Sequence, residues 1–178
     1  MRSLSYLGLA VLLILVQSNL YRLIGPIGEL VGPRVVHGIT PSLVLPLVIF
    51  LGVHELSAAR GALLAFAIGY VQDALSGAPI GLFTFISVGV WWLARVAGVR
   101  LTAQTALPRM SLAFGFSLIE GAVVLTLLAV FGEDTRRPLE VATIVLPRAI
   151  ATALCSPPVF RIAQRLRQGP SPLRTAEA

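Results

Sequence analysis

Three ionisable residues, Asp73, Glu120 and Arg148, lie within long apolar runs of this sequence. A charge held in hydrocarbon costs about 2.5–3.5 kcal/mol on insertion scales unless it is paired, protonated or hydrated. Arg148 has a side chain long enough to reach Asp73 or Glu120. The three therefore predict a polar cluster inside a helix bundle. In the competing arrangement Glu120 is neutral and hydrogen-bonded, and Arg148 extends its head outward along its apolar stem.

Other chemistry is poorly equipped. All 14 basic residues are arginine, so a P-loop lysine, a Schiff-base lysine and a Ser–Lys pair are absent. Cys155 is the single cysteine, which rules out an intramolecular disulfide and a cysteine zinc site. His37 and His54 fall toward opposite faces and cannot share a metal. A triad of Ser42 or Ser76 with His37 and Asp73 is conceivable, but no spacing selects it. The expectation is a chain with no catalytic residues, no metal and no cofactor.

A second pattern surrounds Asp73. Gly61, Ala65, Gly69, Asp73 and Gly77 recur at four-residue intervals. On a helix this makes one ridge that winds by about 40° per step. Small residues let another helix approach closely, which is a main source of helix association in lipid. The Gly61–Ala65–Gly69 ridge is thus a packing seam, either within the bundle or for a partner's helix. Gln17 and Asn19 either hydrogen-bond across helices or mark the end of the first one.

These residues need elements to position them, and composition says which kind. Of 178 residues, 56% are apolar and 12% charged, and the mean hydropathy is +0.87. Soluble domains carry about 25% charged residues, so an all-α integral membrane protein is predicted. The net charge of +6 does not indicate nucleic acid, because aromatics are only 7% and the arginines cluster at the ends of apolar runs.

Six spans are predicted over about 4–24, 42–56, 60–77, 80–99, 110–131 and 139–160, forming a domain over 1–163. A short basic tail covers 164–178. The Gly- and Pro-rich stretch 25–40 reads as an exposed connection. The second span is short and contains Pro46, so it is kinked, half-inserted or shielded by its neighbours. Trp91 and Trp92 fit an interfacial belt, and Pro157-Pro158 terminates or kinks the last span. With the amino end inside, cytoplasmic segments hold nine arginines and outer segments four, which puts both termini in the cytoplasm.

The string Gly69-Tyr70-Val71-Gln72-Asp73-Ala74-Leu75-Ser76-Gly77-Ala78-Pro79-Ile80-Gly81-Leu82-Phe83 resembles the bacterial rod shape-determining protein MreD family. The Pro41-led second span before Arg60-Gly61 and the basic tail after Pro157-Pro158 are similar too. Ser42 departs from the acidic or amide residue that relatives often carry after the proline.

The resemblance implies a six-helix fold like the S-component of energy-coupling-factor vitamin transporters. It also implies a non-enzymatic scaffold in the inner membrane, acting in cell-wall elongation and rod shape. The implied partners are the membrane-anchored periplasmic protein MreC and, directly or through it, MreB, RodA and a class B penicillin-binding protein, together with membrane lipids. Gly69, Asp73, Gly77, Pro79 and Gly81 would then shape the outer end of the third and fourth helices for the partner's anchor. The rival is a binding or transport subunit for a small molecule or lipid precursor. S-components contact their energising partner through an Ala-xxx-Ala motif on the first helix, and Leu4 to Ile24 has no such spacing.

Overall fold

A computed structural model describes residues 2–31, 40–54, 57–76, 80–98, 106–131 and 138–168, with side chains over 3–20, 40–54, 57–76, 80–97, 107–127 and 144–167. Six helices form among the described residues: α1 Arg2–Val31, α2 Val44–His54, α3 Ala58–Ser76, α4 Leu82–Gly98, α5 Ala106–Phe131 and α6 Pro138–Gln168. The all-helical expectation holds over these residues. Stretches long and apolar enough to cross a membrane occur in α1, at Ser3–Leu20, and in α5, at Leu107–Leu127. α2 and the Leu82–Ala97 part of α4 are apolar but shorter.

Prolines decide the helix ends less than expected. Pro46 and Pro108 fall in the first turns of α2 and α5, where backbone N–H groups have no intrahelical partner to lose. α1 continues past Gly25-Pro26 to Val31, well into the stretch expected to be an exposed connection. α6 runs unbroken through Pro147, Pro157 and Pro158 to Gln168, so residues 164–168 are helical rather than tail. Pro157 cannot donate to the Ala153 carbonyl, and the Ser156 hydroxyl takes that place at 2.7 Å. A neighbouring hydroxyl that re-satisfies the freed carbonyl lets a helix pass a proline.

α2 is the hub. It is apolar all round and buried from Val44 to Gly52, and it touches every other helix. A helix without a polar face is stable only when enclosed. Of the three possibilities for this short run, shielding by neighbours is the one observed. Its 11 residues rise about 16 Å, roughly half a hydrocarbon core.

Successive helices run in opposite directions through the bundle. One end of the bundle gathers the C-termini of α2, α4 and α6 with the N-termini of α3 and α5. Phe50 meets Tyr6 at 6.4 Å and Phe160 at 6.1 Å between ring centroids, and Arg109 and Arg167 lie near His54. Arg60, Arg95, Arg109, Arg161, Arg165 and Arg167 all belong to this end.

The outer surface is apolar. Leu12, Leu15, Leu63, Phe66, Tyr70, Phe85, Trp92, Leu107, Ile119, Leu146, Ile150 and Leu154 are exposed. Single exposed apolar residues are ordinary, but a surface built largely of them calls for an apolar surrounding. Trp91 and Trp92 do not share an aromatic belt. Adjacent helical residues point about 100° apart, so Trp92 is exposed while Trp91 is buried against α3.

Candidate functional site

The first polar centre lies where α3 meets α4. The first N–H groups of a helix lack intrahelical acceptors and carry positive dipole charge. Asp73 supplies both an acceptor and a charge. Its Oδ1 accepts the Phe83 N–H at 2.8 Å. Its Oδ2 accepts the N–H groups of Gly81 at 3.0 Å and Thr84 at 3.1 Å, and the Thr84 hydroxyl at 2.6 Å. Gly81 has φ of +102°, a backbone state that a side chain resists, and this turns its amide toward the carboxylate.

The small-residue ridge is consumed by the same junction. Gly61, Ala65 and Gly69 are buried. A Cβ on Gly69 would stand 2.5 Å from the Thr84 Cα, and one on Gly61 would stand 2.6 Å from Trp91 Nε1. The ridge is therefore a seam between α3 and α4, and Gly69 and Asp73 are not presented to a partner. Gly77, Pro79 and His37 lie outside the described residues.

The second polar centre lies between α5 and α6. Arg148 Nη2 stands 3.5 Å from Glu120 Oε1. The expected three-residue cluster is not formed, because both Asp73 oxygens are already engaged by α4. Arg148 reaches Glu120 and leaves Asp73 apart. Glu120 is 5% exposed. Its Oε2 and the Nε of Arg148 are buried and make no hydrogen bond within the protein. Ser117, Gly121, Val124, Ile144 and Val145 join the pair in lining a cavity of about 60 Å³.

The third is the lead-in to α2, which is buried inside the bundle. The Ser42 amide donates to Thr152 Oγ1 of α6 at 2.9 Å, and the Leu43 amide donates to Gln17 Oε1 of α1 at 3.1 Å. Non-helical backbone at this depth survives only where protein groups satisfy it. Gln17 thus bonds across helices rather than marking a helix end. Asn19 does not cross, since it donates to the Leu15 carbonyl of its own helix at 2.9 Å. The Ser42 side chain also faces Glu120. Ser42, Gln72, Ser87 and Glu120 border a cavity of about 10 Å³. Five helices and the lead-in to α2 thus supply polar groups to one layer: Gln17, Ser42, Gln72, Ser87, Glu120 and Arg148 with Thr152.

Sequence reasoning missed Thr152, Gln72 and Ser87 as members of this layer, and assigned Ser42 no structural part. An isolated Ser or Thr in an apolar helix bonds its own backbone as readily as a neighbour's, so type and spacing alone do not single these out.

The contacts of these three centres serve helix–helix cohesion. No group of three or more His, Cys, Asp or Glu that could hold a metal occurs among the described residues. His54 stacks on Phe50 at 4.3 Å at the arginine-rich end, whereas Ser76 is the C-terminal residue of α3, at the opposite end of the bundle. Comparison with protein-family models, with curated proteins and with solved structures finds no match.

Proposed function

We propose that this chain is a non-enzymatic scaffold of the bacterial inner membrane, of the MreD kind, with six helices in the membrane and both termini in the cytoplasm. It would act in the cell-wall elongation complex, hold a single-span periplasmic protein of the MreC type, and through it reach MreB, RodA and a class B penicillin-binding protein.

The observation that carries this reading is the knit of the 69–83 string. The glycine and aspartate that carry the family resemblance make the α3–α4 seam and its cap, so the resemblance rests on residues with a physical task. Two features add to it. The exterior is apolar on α1, α3, α4, α5 and α6, and the polar groups are turned inward onto one another. The arginine-rich end fits the cytoplasmic side, and α2, enclosed by its neighbours, need not meet lipid.

The test is purification in mild detergent from a rod-shaped bacterium carrying a tagged copy, with depletion of the chromosomal copy. Co-purification of a single-span periplasmic protein, and rounding of depleted cells, support the scaffold. Co-purification of ATPase subunits instead supports a binding or transport subunit. That second reading draws on the polar centre. The two cavities described there hold about 10 and 60 Å³, against about 300–1,000 Å³ for a typical small-molecule pocket.

A further inference from the structure

We infer that the cavity between α5 and α6 is a hydration site, binding a small cluster of ordered water that completes the Glu120–Arg148 pair. The inference stands on the geometry of this pair and does not depend on the scaffold reading.

The ion pair by itself is incomplete. At 3.5 Å, the Nη2–Oε1 separation is longer than the 2.7–2.9 Å usual for a charge-assisted hydrogen bond. One oxygen of the buried carboxyl and one nitrogen of the guanidinium have no protein partner. Leaving either unsatisfied in a low-dielectric interior is costly, and native proteins do so rarely.

Both orphan atoms belong to residues that line the same cavity, and they want opposite things. Glu120 Oε2 needs a donor and Arg148 Nε–H needs an acceptor. Ser117, 3% exposed, adds a hydroxyl to the wall, while the half-buried Val124, Ile144 and Val145 supply its apolar part. A ligand here must both donate and accept within a few heavy atoms, and water does so.

Size points the same way. One water needs about 10–15 Å³, so about 60 Å³ takes a few and excludes a lipid headgroup or a sugar. The apolar wall makes the site selective in position, because only the polar edge can fix the molecules. Gly121 permits this geometry. A Cβ there would stand 2.5 Å from Val145 Cγ1, so a larger residue would have to displace the Val145 side chain at the cavity wall.

Two measurements on the full-length purified protein test the inference. A high-resolution density map should show ordered peaks within hydrogen-bond distance of both Glu120 Oε2 and Arg148 Nε. Continuous apolar density from a detergent or lipid tail at that place, or a dry cavity, overturns it. The second measurement is thermal unfolding of Val124→Leu, which adds a methylene to the cavity wall. Displacing hydrogen-bonded water lowers the melting temperature by several degrees. A rise overturns the inference, since filling a dry cavity stabilises. Val124→Ala is the control for damage to packing alone: it leaves the waters in place and should retain their density peaks, and loss of those peaks also counts against a built site.

Discussion

The Thr84 hydroxyl donates to the Asp73 carboxylate at 2.6 Å, across the turn that joins α3 to α4. With the amides of Gly81, Phe83 and Thr84 on the same carboxylate, one side chain closes the N-terminus of α4 from the preceding helix. An Asp that reads as a costly intramembrane charge is in fact the cap of its neighbour.

Replacement of Asp73 should therefore loosen α4 before anything else. Asp73→Ala is expected to cost about 2 kcal/mol or more, through loss of the cap and exposure of unsatisfied amides. Asp73→Asn, which keeps one acceptor oxygen, should fall between the two. Unfolding followed by circular dichroism in detergent checks the order. Equal stability of all three proteins would contradict the assignment.

Glycines of this chain should divide by what stands in front of them. Gly69→Ala drives a methyl into the α4 backbone and should destabilise by about 1–3 kcal/mol. Nothing lies within 4 Å of the Cβ position at Gly8 or Gly89. Alanine at either should be neutral or stabilise by up to about 1 kcal/mol through helix propensity. Melting temperatures of the three variants give the comparison directly.

Glu120 and Arg148 should behave as a coupled pair rather than as two independent charges, with Glu120 buried and the Arg148 side chain 33% exposed. Arg148→Met strands the buried Glu120 and is expected to cost about 3 kcal/mol or more, whereas Glu120→Leu leaves a partly exposed arginine and should cost less. The double variant should lose less than the sum of the singles. Additive losses in a double-mutant cycle would show that the two do not interact.

Gln17→Leu and Thr152→Val each remove an acceptor from the buried lead-in to α2, at Leu43 and Ser42 respectively. A loss of about 1–3 kcal/mol is expected from each. Hydrogen exchange read at the Ser42 and Leu43 amides should accelerate selectively, while amides in the middle of α5 keep their protection. Uniform acceleration across the chain would point to general unfolding instead.

Composition alone argued for helices in an apolar surrounding, because 12% charged residues cannot coat a water-facing globule. The four-residue recurrence of Gly61, Ala65 and Gly69 marked a packing ridge, since that spacing has one meaning on a helix. The partner of the ridge was not legible. Only the fold sets α4 against it, by placing Trp91 over Gly61 and Thr84 against Gly69.

The charges within apolar runs show the same division. Their positions in apolar runs predicted that they must be satisfied, and the chain length of Arg148 allowed either carboxylate as its partner. Asp73 is withdrawn because the N-terminus of α4 reaches it first, a relationship set by how two helices cross. Gln17 and Thr152 gain their roles from the short, enclosed α2, whose first amides begin in the bundle interior and have no partner on their own strand of chain. Backbone propensity, hydropathy and proline rules act over a few residues and are written in the sequence. Which donor meets which acceptor across 26 or 110 positions depends on helix crossing and depth, and only the tertiary structure decides it.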